Sequence, residues 1–407
     1  MKASLSILNE RQPVVDWLLL GAVGMLLVIG LAFIYSATLG SETLRSLPFY
    51  QQHHFKQAVW CALGAALAIG ACAVPYPRLL RFALVGYWGC ILLLILVLIP
   101  GIGTSHGWGA MRWIDLGPVQ IQPSEFAKLG LIMALAHYLS RPVEELRQVR
   151  TFWTALGLMA LPFVLILREP DLGSALILLP VTLAMLVVAG TPPRYLVRLG
   201  LAGLLLVSLL LVDVLFAPPN WRLKLEDYQR RRLLVFFGLD YTRFAPPQAT
   251  PAELQRLRLQ QQNDEYCSRQ ALISIGSGGL AGKGWRQGAQ IALGYLPRGV
   301  AHNDFIFSVI AEEKGFLGSA LVVGLYGVVL GCGLRMAALA RDRLGKLLAV
   351  GIVVLLFSQV FINIGMNIRI LPVTGVPLPL LSYGGSSVLC TLVGLGLLHN
   401  VYLHRRD

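Results

Sequence analysis

The chain has 407 residues, 56% of them hydrophobic and only 14% charged. Soluble domains carry about 25% charged residues, so this composition excludes that class and leaves a polytopic membrane protein. In such a protein a net charge of +13 reflects positive-inside topology and anionic membrane lipid, and no nucleic-acid partner is expected. The six cysteines (Cys61, Cys72, Cys90, Cys267, Cys332 and Cys390) show neither a disulfide framework nor zinc spacing.

Ten apolar runs follow in order: Trp17–Tyr35, Phe55–Val74, Leu79–Ile99, Phe126–Leu139, Trp153–Leu167, Ser174–Ala189, Tyr195–Phe216, Phe305–Leu334, Leu347–Ile368 and Val388–Leu403. A bilayer span needs about 20 residues, so they predict an all-α protein with about ten transmembrane helices. The first stretch, Asp16–Ser36, lacks a small-residue cleavage site and is long enough to span. It reads as a retained helix, not a signal peptide. Pro123 marks the first turn of the shortest run.

Basic residues collect at one set of ends: Lys2 and Arg11, Arg78 and Arg81, Arg141 to Arg150, Arg194 and Arg198, Arg335 to Lys346, and Arg405 with Arg406. The opposite short loops hold only Arg45, Lys56, Arg112, Arg168 and Arg369. The positive-inside rule then puts both termini in the cytoplasm. It leaves 217–303 as a large extracytoplasmic loop between the seventh and eighth spans of a single membrane domain, 1–407.

The outer loop before the fourth span contains Trp108, Arg112-Trp113-Ile114 and Gln122-Pro123-Ser124-Glu125, with Lys128 one turn on. Exposed indoles at such a place stack on sugars or sit in an interfacial belt. Glu125 and Lys128 are three apart, so an ion pair stands beside a substrate role. A lysine this near an apolar run is costly unless it pairs or serves a ligand. Asp171, after Arg168-Glu169-Pro170, fits an N-cap.

Within the large loop, Leu223–Phe237 reads as an interfacial amphipathic helix that includes Arg230-Arg231-Arg232. Phe244–Asn263 reads as an insertion with a polar helix. The glycine-dense Gly276–Trp285 is no P-loop, because Lys283 lacks a following Ser or Thr. It is either a flexible turn or backbone packed close to a phosphate or sugar, with Lys283 as a point charge.

Asp304 stands where this polar loop meets the eighth apolar run. It can cap the helix or serve as a functional carboxylate at the membrane surface. Asp304, Ser308 and Glu312 are spaced by four and share a helix face, which should line a cavity. The last outer loop, Leu371–Ser387, holds three prolines and three glycines yet stays apolar. It should be a re-entrant or cavity-lining loop buried in protein.

Together these segments resemble the SEDS family (shape, elongation, division, sporulation). The matching motifs are Arg112-Trp113-Ile114 with Gln122 to Glu125 and Lys128, Pro170-Asp171-Leu172-Gly173, and Gly278-Gly279-Leu280 with Gly282-Lys283-Gly284. To these are added Asn303-Asp304-Phe305-Ile306-Phe307 with Glu312-Glu313, and Leu371-Pro372 with Pro377-Leu378-Pro379 and Ser382 to Ser387. Leu371–Pro377 is more similar to the RodA branch than to the FtsW branch. Two features depart from the family pattern: the 244–263 insertion, and Arg369 where relatives usually carry a neutral residue.

The resemblance implies a ten-helix peptidoglycan glycosyltransferase. It would polymerise lipid II into a growing glycan strand at the outer face of the cytoplasmic (inner) membrane during cell elongation. It implies Asp304 as the catalytic carboxylate and Arg112, Glu125 and Lys128 as substrate-binding residues of the central cavity, to which Trp108, Gln122, Lys283 and Ser382 are added as expected substrate-binding residues. No protein-bound metal is assigned. The leaving diphosphate calls for cations, from Arg112, Lys128, Lys283 or a divalent ion such as Mg or Mn. The resemblance also implies a class B penicillin-binding protein transpeptidase as partner. Rival readings are a lipid II flippase, a division-type FtsW polymerase and a scaffold for other wall enzymes.

Overall fold

The computed structural model describes residues 15–39, 47–104, 111–117, 119–216, 227–244, 249–296 and 299–406. The membrane helices are α1 (Trp17–Leu39), α2 (His53–Ala73), α3 (Ala83–Val97), α4 (Pro123–Leu139), α5 (Val149–Arg168), α6 (Leu172–Val188) and α7 (Pro193–Phe216). Two helices of the large loop follow, α8 (Asp227–Phe236) and α9 (Pro251–Ser277), and then α10 (Ile306–Leu339), α11 (Arg343–Asn367) and α12 (Gly385–Leu403). Among the described residues, seven helices are long and apolar enough to cross a membrane; α3 and α6 are shorter apolar helices, and α4 completes the expected ten. This is an all-α polytopic membrane fold.

The 17 residues of α4 extend roughly 25 Å, short of a full hydrocarbon core of about 30 Å. The helix is buried in protein along most of its length, so protein rather than lipid surrounds its charges. α4 packs against α3, α6 and α11, while α12 lies along α2 and α10 packs on α1 and α11. α7 stands at the periphery, its most apolar window wholly unburied.

One end of the bundle is tied by the basic residues. Arg335 pairs with Asp16, Arg343 donates to Ala189 O, and Asp342 caps α11 through Gly345 N at 2.7 Å. The opposite end carries a small antiparallel sheet of β1 (Gly103–Thr104), β2 (Trp113–Asp115) and β3 (Gln120–Ile121). The large loop and the 371–384 segment sit at that end too.

The large loop differs from its sequence reading in three respects. The polar helix is not confined to 244–263: α9 starts at a Thr250–Glu253 capping box and continues to Ser277. Part of the apolar face of α8 packs on protein: Leu234 and Val235 are buried in a cluster with Val214 and Tyr241, while Phe237 just past the helix stays exposed. The glycine-dense segment is neither a flexible turn nor a ligand cradle. It interlocks with α10, whose helical path breaks at Gly315 (φ 63°, ψ −159°). Lys283 N donates to Glu312 O and Gly284 N to Glu313 O, both at 3.0 Å, while Phe316 N returns a bond to Gly279 O at 2.9 Å. A Cβ on Gly282 would lie 2.3 Å from Glu313 O, so backbone contact requires glycine there.

Candidate active site

A cavity of about 690 Å³ opens at this end, between the ends of the membrane helices and the large-loop helices α8 and α9. Asp304 lines it, with Arg112, Gln122 and Asp171 on one side and Arg231, Arg232 and Asp264 from α8 and α9 on another. Arg369 and the 371–384 segment complete the wall.

Asp304 does not cap α10. The N-cap residue is Phe305, which makes no side-chain cap bond. Asp304 lies in a turn held by its own N–H, which donates to Val300 O at 3.0 Å. Its backbone oxygen accepts from Asn363 Nδ2 at 3.0 Å and Asn367 Nδ2 at 3.1 Å. The Asp304 carboxylate itself makes no hydrogen bond or ion pair among the described residues. Beside it, Gly375 (φ 78°) leaves open the space where a Cβ would come within 3.7 Å of Asp304 Oδ2. Burial pushes the Asp304 carboxyl up to about 6, against the opposing pull of Arg232 and Arg112.

Loop 371–384 is set by the same amides and by two further residues. Asn363 Nδ2 also donates to Val376 O at 2.8 Å. Gln57, buried on α2, donates to Ser382 O at 3.2 Å and accepts from Gly384 N at 3.1 Å. Ser382 Oγ accepts from Leu378 N at 2.8 Å and donates to Asn303 O at 2.5 Å. Ser382 therefore joins this loop to the Asp304 turn and lies outside the cavity lining.

The remaining predicted site residues divide by position. Gln122 lines the cavity and donates through Nε2 to Asp171 Oδ2 at 3.2 Å. Asp171 is an N-cap, as expected, accepting from Ser174 N at 3.1 Å. Arg112 lines the cavity with Nε donating to Glu169 O at 3.1 Å and Nη2 to Pro170 O. Glu125 and Lys128 pair at 2.6 Å with side chains 2% and 1% exposed, and neither reaches the cavity wall. Lys283 also lies away from the wall, bonded to Glu312 Oε1 at 2.6 Å and Ser277 Oγ at 2.8 Å. Trp108 lies outside the described residues.

The acidic face after Asp304 does not line the cavity. Ser308 donates to Asn367 Oδ1 at 2.6 Å, and Glu312 accepts from Ser274 Oγ at 2.9 Å, both fully buried against protein. The period was right; the partners are other helices and the glycine turn rather than water.

Three cavity-lining cations and a buried acid next to the wall escaped the sequence reading. Arg231 and Arg232 were absorbed into an interfacial helix, and Arg369 stood only as a departure from the family pattern. Glu169 is buried, with neither carboxylate oxygen hydrogen-bonded. Burial, with Asp171 adding, pushes its carboxyl up to about 9 despite Arg112, so it is a neutral acid at pH 7. The run Arg168-Glu169-Pro170-Asp171, with two carboxylates so close, was the one local signal for it.

Comparison with known proteins identifies the family. The cell cycle protein model covering FtsW, RodA and SpoVE matches residues 16–407. A probable peptidoglycan glycosyltransferase FtsW of Geobacter metallireducens is 35% identical over 96% of this chain and 95% of its own. The peptidoglycan glycosyltransferase MrdB of Escherichia coli is 34% identical over 85% of this chain and 84% of its own. Among solved structures, a chain of a peptidoglycan synthase complex, described for its coordination of polymerization and crosslinking, matches with TM-score 0.74 and 31% identity over 97% of this chain and 99% of that one. The rod shape determining protein RodA of Thermus thermophilus matches with TM-score 0.63 and 30% identity over 97% and 98%. The chain belongs to the FtsW/RodA/SpoVE family, the SEDS family of its motifs.

Proposed function

We propose that this chain is a peptidoglycan glycosyltransferase that polymerises lipid II at the outer face of the cytoplasmic membrane. One observation carries the reading: a carboxylate with no hydrogen bond among the described residues, in an arginine-lined cavity at the end of a membrane bundle. A sugar hydroxyl attacks the anomeric carbon of the lipid-linked sugar. Asp304 takes the hydroxyl proton, the new C–O bond forms, and the old C–O bond breaks, with its electron pair leaving on the lipid diphosphate. A base held at about pKa 6 is ionised at neutral pH and close to the optimum for proton transfer. Guanidinium groups meet the charge that develops on the leaving diphosphate.

The names of the relatives support this activity. Identities of 35% to an FtsW and 34% to MrdB do not separate division from elongation, so the elongation role rests on Leu371–Pro377. A class B penicillin-binding protein is the proposed partner, supported by the likeness to a complex that coordinates polymerization with crosslinking. The termini belong in the cytoplasm because the basic ends lie opposite the cavity. Among the described residues no three His, Cys, Asp or Glu side chains are grouped to hold a metal. A divalent ion is therefore proposed only as a companion of the substrate diphosphate, and chelation of the assay with EDTA tests it. The deciding experiment is polymerisation of purified lipid II in detergent by wild type beside Asp304→Asn. A flippase makes no polymer there, so absence of polymer with wild type removes the glycosyltransferase reading.

A further inference from the structure

Arg369 combines two features that do not belong together in an ordinary helix end. α11 closes with a Schellman turn: Ile370 N donates to Gly365 O at 2.8 Å and Arg369 N to Met366 O at 3.3 Å. The residue at its left-handed position is Arg369, with φ 59°, where glycine is free of strain. Arg369 also lines the cavity that holds Asp304. The other cations there have partners: Arg112 donates to two carbonyls, and Arg231 lies 3.8 Å from Asp264. Asp171 and Asp264 are likewise engaged, by Gln122 and by Tyr241. Arg369 makes no ion pair with any described residue.

We infer that Arg369 forms an anion subsite with Arg231 and Arg232, and that its ligand is the departing lipid diphosphate. The inference rests on the proposed glycosyltransferase reading for the identity of that ligand. A guanidinium fork matches phosphate oxygens two at a time. The diphosphate is the most highly charged group in the reaction, and Arg369 is a cavity cation with neither an ion pair nor a side-chain bond to a carbonyl among the described residues. A peptide carboxylate offers the same oxyanion chemistry on a smaller charge. The competing explanation is that Arg369 only complements the carbonyl end of α11.

The test uses the full chain in detergent and measures direct binding of undecaprenyl diphosphate, undecaprenyl monophosphate and lipid-free muramyl pentapeptide. Arg369→Gly should weaken diphosphate binding about tenfold or more, weaken monophosphate binding less, and leave pentapeptide binding unchanged. The same variant should melt at the same or a higher temperature, because glycine removes the backbone strain. Arg369→Lys should bind between the two, keeping charge and losing the fork. Wild-type diphosphate affinity in Arg369→Gly would overturn the subsite and leave the helix-end role. A loss confined to the pentapeptide would reassign it to a carboxylate. Intact, Arg369-dependent diphosphate binding by a wild type that makes no polymer would refute the glycosyltransferase reading while leaving the subsite standing.

Discussion

Replacing Asp304 by Asn removes a charge and keeps the shape. The turn that carries Asp304 is held through its backbone: Val300 O, Asn363 Nδ2 and Asn367 Nδ2 bond to its main-chain groups. An amide at this position leaves every one of those bonds in place, so loss of activity will not come from unfolding. With the carboxyl held at about 6, wild-type turnover should rise with pH through about 6 and level off above it. Asp304→Asn should lose roughly 10²–10⁴-fold in turnover, about 3–5 kcal/mol of barrier, and the rising limb should vanish with it. Stability should move the opposite way. The carboxyl goes from an ordinary value of 3.8 to about 6 on folding, so the folded state binds the proton more tightly. Wild type is therefore penalised progressively as pH climbs from about 4 to about 6, and the penalty is complete above that. The rise of about two units corresponds to roughly 3 kcal/mol. Asn carries no such penalty, so its melting temperature should gain on wild type between pH 4 and pH 8. Lipid II polymerisation and thermal unfolding across that range read both effects. Near-normal turnover by Asp304→Asn, or a pH profile without a limb near 6, would refute the assignment.

Three further substitutions test the framework. Lys128→Met alone should cost about 3–5 kcal/mol by stranding Glu125 at 2% exposure, whereas Lys128→Met with Glu125→Gln should recover most of it; an unchanged melting temperature in the single variant would contradict a buried pair. Gly282→Ala forces a Cβ to 2.3 Å from Glu313 O at φ 82° and should destabilise by more than about 2 kcal/mol, measured by thermal unfolding; tolerance of alanine would disprove the interlock. Asn367→Leu removes a donor to Asp304 O, and should lower kcat more than it raises KM and displace the rising limb of the pH profile; a stability loss of about 1–3 kcal/mol with kinetics intact would make it purely structural.

The spans were legible because apolar length is a local property that lipid reads directly. Legibility stopped where partners come from distant segments. The i, i+3 spacing of Glu125 and Lys128 announced an ion pair, but only the packing of α3, α6 and α11 around α4 takes that pair out of reach of the cavity. Ser308 and Glu312 fell on the predicted face, yet Asn367 and Ser274 supply the partners that were expected to be water. The glycines of 278–284 signalled a close approach of backbone, and nothing local says that the approaching chain is α10 itself. Arg231 and Arg232 lie on α8 and Arg369 just past α11, with the rest of the large loop, α10 and α11 between them, so no window of sequence could show them sharing a wall.

Of the three aspartates that line the cavity, Asp171 and Asp304 show why one is the candidate base. Both sit at turns before apolar helices, and sequence offered each the same choice between cap and function. Asp171 is spent: Oδ1 accepts Ser174 N–H, and Oδ2 accepts from Gln122 at 3.2 Å and Ser124 at 3.5 Å. Among the described residues Asp304 keeps its carboxylate oxygens unbonded, because Val300, Asn363 and Asn367 fix its backbone instead. A base needs an unoccupied lone pair on a carboxylate that cannot move, and fixing the main chain meets both needs at once. The buried amides of α11 thus do for Asp304 what a cap bond does for Asp171, without using the atoms that must meet the substrate.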